Sequence, residues 1–182
     1  MQAWAAEAWA TIQSEFSDVS DASQITRLLV RLGLAMLFGG LLGLERERHG
    51  YAAGLRTHMM VALGAALFVH IPGEAGFATD DMSRVLQGLV SGIGFLGAGA
   101  IIKFNRTGEV HGLTSAASLW LTAAIGVACG LGRETTAALS TLLALVILAA
   151  LRPLHRRLGA ATRQAEAQNG AAPLRRDSGD GL

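Results

Sequence analysis

Glu45, Arg46, Glu47, Arg48 and His49 follow an apolar stretch without a break, and Arg56, Thr57 and His58 open the next one. Carboxylates, guanidiniums and imidazoles at this density can pair ions, move protons or hold a cation. As a solvated loop they would form exposed ion pairs of about 0–1 kcal/mol each. An unpaired Glu45 against hydrocarbon would be costly, so the other reading is a paired cluster facing a helix bundle, with Glu45, Arg46, Glu47 and Arg56 within reach of one another. Catalysis is not expected. No HExxH, carboxylate triad or nucleophile–base pair stands at working spacing, and no cofactor is implied. Magnesium prefers few carboxylates and retains its waters, which leaves Glu45 and Glu47 as weak candidates for a metal contact.

A second pattern with a chemical reading is Gly92-Ile93-Gly94-Phe95-Leu96-Gly97. It matches the GxGxxG dinucleotide fingerprint, which needs a preceding strand, a following soluble helix and an acidic residue about 20 positions on. Here another apolar span follows, so the nucleotide reading is rejected. Gly88, Gly92, Gly94, Gly97 and Gly99 lie in an uncharged run ending at Lys103. In a soluble helix each glycine costs about 1 kcal/mol; in lipid, small residues let backbones approach, and Gly88/Gly92 and Gly39/Gly43 are both GxxxG pairs. These glycines are expected to pack helices closely or to mark an unwound segment.

The elements that must carry these residues are membrane helices. The chain has 182 residues, 51% hydrophobic and only 16% charged, against about 25% charge in globular chains. The expected fold is all-α and polytopic, with about five spans. They run from about 25 to 44, 57 to 71 (extending back through Ala52 or Ala53), 85 to 102, 113 to 131 and 135 to 151. Asp21-Ala22-Ser23-Gln24 resembles a capping box at the start of the first. Ile71-Pro72-Gly73 is expected to end the second, with Glu74, Asp80 and Asp81 in a polar loop. Asn105 to Gly108 form the tip of a turn, and Thr114 or Ser115 caps the fourth span.

Residues 1–24 read as an amphipathic segment with Trp4, Ala8, Ile12 and Phe16 on one stripe; 25–151 form the membrane domain; 152–182 are basic and largely disordered. The first residues lack the basic and apolar regions of a cleavable signal. Basic residues at Arg46, Arg48, Arg56, Lys103, Arg106 and the tail outnumber Arg27, Arg31, Arg84 and Arg133 on the other side. The amino end is therefore expected outside and the carboxyl end in the cytoplasm. Arg27 and Arg31 are expected to snorkel, with a helix interface as the second reading for Arg31. His70, Cys129 and Trp120 read as packed core residues, and Thr114, Ser115 and Ser118 as bonds across helices. A net charge of +1 implies no nucleic-acid partner.

Three blocks in order carry a family resemblance. They are Gly43-Leu44-Glu45-Arg46-Glu47-Arg48 with Ala53-Gly54-Leu55-Arg56-Thr57-His58, then Val90 to Gly99, then Gly112-Leu113-Thr114-Ser115-Ala116-Ala117-Ser118-Leu119-Trp120. Over about residues 28 to 150 the chain resembles the MgtC/SapB family of bacterial inner-membrane proteins. The resemblance implies a multi-pass helical domain linked to growth at low magnesium. It also implies regulation of a membrane partner, the proton-translocating ATP synthase being the known family target, rather than catalysis. Longer members carry a soluble carboxyl-terminal domain, for which the residues after Leu151 are too few. The expected role is thus regulatory, in a self-associating protein surrounded by lipid; a small Mg²⁺ or other cation carrier is the alternative, through backbone carbonyls of a broken helix.

Overall fold

A computed structural model describes residues 2–16, 21–101 and 112–149. The Asn105–Gly108 turn, Lys103, Arg106 and the 152–182 tail lie outside the described residues. Six helices are seen: α1 (Gln2–Glu15), α2 (Ala22–Glu47), α3 (Leu55–Glu74), α4 (Thr79–Ile101), α5 (Leu113–Gly130) and α6 (Glu134–Ala149). The contacts define one unit over Met1–Leu142 and another over Leu143–Leu182, the second described only in the last turns of α6. Helices α2 to α5 are each long and apolar enough to cross a bilayer, and α6 is a shorter apolar helix. At 1.5 Å per residue, the 26 residues of α2 reach about 39 Å, beyond the roughly 30 Å hydrocarbon core. Its charged residues lie towards the two ends, Arg27 and Arg31 near the start and Glu45, Arg46 and Glu47 at the finish.

Helix α2 begins where Asp21 accepts from the Ser23 amide and hydroxyl. The hydroxyl bond is the main reason its carboxyl is held below its ordinary pKa. Helix α3 differs from expectation at its end, running through Pro72 to Glu74. Proline removes one amide donor, but the turn still closes: Phe77 N–H reaches the Pro72 carbonyl at 3.1 Å and Ala75 N–H the Ile71 carbonyl at 3.0 Å. Asp80 and Asp81 belong to the first turn of α4 rather than a loop, where the helix dipole favours negative charge. Thr114 and Ser115 do not cap α5; Gly112 does, with φ +97° and no side-chain bond.

The core of the first unit is α2, α3 and α5, and its closeness comes from glycine. A Cβ on Gly39 would lie 2.7 Å from the His58 carbonyl oxygen and 2.8 Å from the Ala62 Cβ, and one on Gly43 2.7 Å from the Leu55 Cα. From α5, a Cβ on Gly126 would strike the Ala62 carbonyl, and one on Gly130 the Ala66 carbonyl. Gly126/Gly130 is a third GxxxG pair, absent from the expected packing set. Ala35, Ala62, Ala65, Ala66 and Ala123 complete the small-residue core. Where backbones approach this closely, van der Waals contact holds helices together even though lipid supplies no hydrophobic drive.

Helix α4 stands apart from this core. It packs chiefly on α5, where Gly97 approaches Ala116, while among the described residues nothing beyond its own helix backbone comes within 4 Å of a Cβ on Gly88, Gly92, Gly94 or Gly99. It is also helical through Ile101, so the glycines mark no unwound segment. Helix α1 contacts none of α2 to α5 and exposes Trp4, Trp9, Ile12 and Phe16.

Gly126→Leu should therefore destabilise the bundle by about 1–3 kcal/mol or prevent folding, while Gly94→Leu leaves thermal unfolding in detergent unchanged. Equal melting of the two variants would contradict the packing described.

Candidate functional site

The charged run at the end of α2 is shaped first by its turn. Gly50 has φ +73°, a left-handed conformation glycine adopts without a Cβ penalty. The Tyr51 amide reaches back to the Arg46 carbonyl at 3.2 Å and the Gly50 amide to Glu47 at 3.0 Å, the bonding of a Schellman helix end. That reversal carries the Tyr51 ring to Arg46, whose guanidinium carbon lies 3.4 Å from the ring centroid. Arg46 is 1% exposed. A buried guanidinium is heavily penalised unless its donors are met; here the ring face supplies a cation–π contact and Ser115 Oγ accepts from Nη2 at 2.7 Å. This ties α2 to α5.

Glu47 Oε2 accepts from the Leu55 amide at 2.7 Å. Gly54 gives α3 no side-chain cap, so the carboxylate of the preceding helix satisfies one of its free amides and meets the positive end of its dipole. Glu45 Oε1 lies 3.8 Å from His49 Nδ1. Positions two apart on a helix do not face each other, and Glu45 and Glu47 are engaged with different elements. Among the described residues no group of three His, Cys, Asp or Glu side chains is placed to hold a metal. Arg48, Arg56, Thr57 and Thr114 are exposed.

His58 is fully buried and continues the polar line. Its Nδ1 is 2.9 Å from the Gly54 carbonyl, which only accepts, so Nδ1 carries a proton. Its Nε2 is 3.3 Å from Ser118 Oγ, and that hydroxyl also stands 2.8 Å from the Ser115 carbonyl. Ser118 has one proton for two acceptors. The hydroxyl donates to the Ser115 carbonyl, the shorter of its two contacts. Thr122 Oγ1 donates to the Ser118 carbonyl at 2.8 Å. Arg46, Ser115, Ser118, His58 and Thr122 thus form one buried polar chain across α2, α3 and α5.

A second polar group closes the other end of the core. Arg31 turns into the helix interface instead of snorkelling: its Nη1 is 3.2 Å from His70 Nδ1, 3.4 Å from the Gly130 carbonyl and 3.7 Å from Glu74 Oε1. It thereby meets one of the free carbonyls at the carboxyl end of α5, where the dipole favours a cation. Gly132, at φ +71°, leaves room for that guanidinium; a Cβ there would lie 2.6 Å from Nη2. Trp120, expected to pack, is 51% exposed. The turn of α5 that directs Ser118 and Thr122 inward directs Trp120 outward.

Of the residues singled out from sequence, the fold joins Arg46 and His58 through α5 and separates Arg48, Arg56 and Thr57 from them. Ser115 makes the bond across helices expected of it, and Arg31 takes its second reading, the helix interface; Tyr51 as the partner of Arg46 and Glu74 as a partner of Arg31 were not expected. The spacing of Ser115, Ser118 and Thr122, three then four, was the available signal for one buried polar face.

A bundle of long apolar helices tied by buried polar side chains is a membrane protein. The match to known proteins is more specific. The model of the MgtC family matches residues 32–157, and the chain belongs to that family. It is 44% identical over 140 residues to Protein SrpB of Synechococcus elongatus, covering 71% of this chain and 77% of the relative. It is 48% identical over 124 residues to Protein MgtC of Brucella abortus, covering 66% of this chain but 49% of the relative. To Protein MgtC of Salmonella typhi it is 41% identical over 140 residues, 77% of this chain and 59% of that one. The chain thus spans about half the length of the MgtC relatives. No solved structure matches it.

Truncating Ser115 to Ala should cost about 1.5–3 kcal/mol, the range for a hydrogen bond to a charged group. In a double-mutant cycle with Arg46→Gln, a coupling of at least about 0.5 kcal/mol is expected from reversible unfolding in detergent. Strict additivity would show that the two side chains do not act together.

Proposed function

We propose that this chain is a non-enzymatic regulator in the bacterial inner membrane, acting in adaptation to low magnesium and in membrane energetics through contacts with another membrane protein. Its amino end lies outside and its carboxyl end in the cytoplasm. The proton-translocating ATP synthase is the partner the family resemblance suggests. The observation that carries the regulatory reading is the closure of the α2–α3–α5 core. Between the polar groups at its two ends, Gly126 and Gly130 bring α5 onto the Ala62 and Ala66 backbone of α3. That packing favours a rigid body over a water-filled path. Helix α4, with its glycines open and Phe95 81% exposed, offers a face for contact within the membrane. The buried chain from Arg46 to His58 holds the bundle end that such contacts would read.

The test has two arms. In cells lacking a family member, the wild-type gene should restore growth at low magnesium and Gly94→Leu should not, with both proteins present in the membrane at equal amounts. In liposomes, the purified protein should give no Mg²⁺ flux above that of empty vesicles. Flux that Glu45→Gln abolishes would replace the regulatory reading with transport.

A further inference from the structure

The end of the core that carries Arg31 also carries a groove between α2 and α3, of about 480 Å³, lined by Gln24, Leu28, Leu32, Leu67, His70, Ile71, Glu74 and Ala75. That lies within the range of ligand sites, about 300–1,000 Å³. The lining is graded. On α2, Leu32, Leu28 and Gln24 follow one another at intervals of four towards the helix start, and on the antiparallel α3, Leu67, Ile71 and Glu74 run towards its end. Both walls are therefore apolar at depth and polar at the mouth, the profile of a chain-and-headgroup amphiphile at a bilayer surface.

The mouth is chemically specific. Guanidinium only donates, so the 3.2 Å contact with Arg31 makes His70 Nδ1 an acceptor and leaves the proton on Nε2. His70 is 8% exposed, lines the groove, and its Nε2–H has no hydrogen-bond partner among the described residues. That N–H is open to an acceptor lying in the groove. Glu74 presents the opposite need. It is the last residue of α3, where the helix dipole disfavours a carboxylate, and its pairing with Arg31 is long, 3.7 Å, with the Glu74 side chain 45% exposed. Gln24 adds an amide that donates and accepts.

We infer that this groove binds a phospholipid with a primary-ammonium zwitterionic headgroup, of the phosphatidylethanolamine type. One acyl chain lies along Leu28, Leu32, Leu67 and Ile71. The ammonium donates to Glu74, and the phosphate accepts from His70 Nε2–H and the Gln24 amide. A phosphatidylglycerol headgroup brings no cation to Glu74, and a quaternary choline has no N–H to donate, so the site discriminates among headgroups that share the same chains.

Native mass spectrometry of the full chain released from detergent tests this, with palmitoyl-oleoyl phosphatidylethanolamine, phosphatidylglycerol and phosphatidylcholine supplied at equal concentration. The wild type should retain the ethanolamine lipid about fivefold over the glycerol lipid, as one half-exposed ion pair allows. Glu74→Gln, nearly isosteric, should remove that preference without loss of helical circular dichroism. Leu32→Trp should fill the groove and lower retention of all three lipids. Equal retention by the wild type, an unchanged preference in Glu74→Gln, or full retention by a folded Leu32→Trp would each overturn the assignment.

Discussion

Everything in the core depends on how closely α2 and α5 can approach the α3 backbone. Gly39 and Gly43 of α2 and Gly126 and Gly130 of α5 all press on α3, each where a methyl group would collide. In lipid, apolar side chains gain little by leaving hydrocarbon for a helix interface. Cohesion must come from dense contact and from polar groups that have nowhere else to bond. Glycine supplies the first by removing the side chain that would hold the helices apart. The second follows geometrically, because only at this spacing can the short hydroxyls of α5 reach across to α2 and α3.

The polar groups are accordingly gathered at the two ends of the packed segment. At one end Arg46 is enclosed by Tyr51 and Ser115, and His58 meets Ser118. At the other, Arg31 is shared among His70, Glu74 and the α5 carboxyl terminus. Such pairs do not stabilise in simple proportion to their number, because burying each charge carries its own desolvation cost. Their stronger effect is on specificity. An arginine stranded without these acceptors would be severely penalised, so the bundle has few alternative registers. Helix α4 escapes both constraints.

Much of this architecture was legible in the residues. Charge depletion and apolar runs of membrane-spanning length announced the helices, and the Asp21 start of α2 was read from its cap; Gly39 and Gly43 lie against α3. The Glu45–His58 cluster was located, but its internal pairing was not. Arg46 finds a tyrosine and a serine from other segments, and Glu47 caps the next helix. Neither contact is visible in local spacing, because both arise from a chain reversal at Gly50 and from a helix more than sixty residues away. The same holds for Arg31, whose position near a helix end invites snorkelling until α3 and α5 surround it.

Composition and periodicity were thus enough to settle that the chain forms long apolar helices, since a backbone in hydrocarbon must satisfy its own hydrogen bonds and has few ways to do so; the start of α4, six residues before the expected span, was not legible. Which glycines pack was decided only when the helices assembled. Gly88, Gly92, Gly94 and Gly99 were expected to pack and Gly126 and Gly130 were not, yet among the described residues it is the latter pair that faces another backbone. A small residue permits contact without choosing its partner; that choice belongs to helix rotation, which the inward-facing hydroxyls of α5 and the buried arginines of α2 impose together.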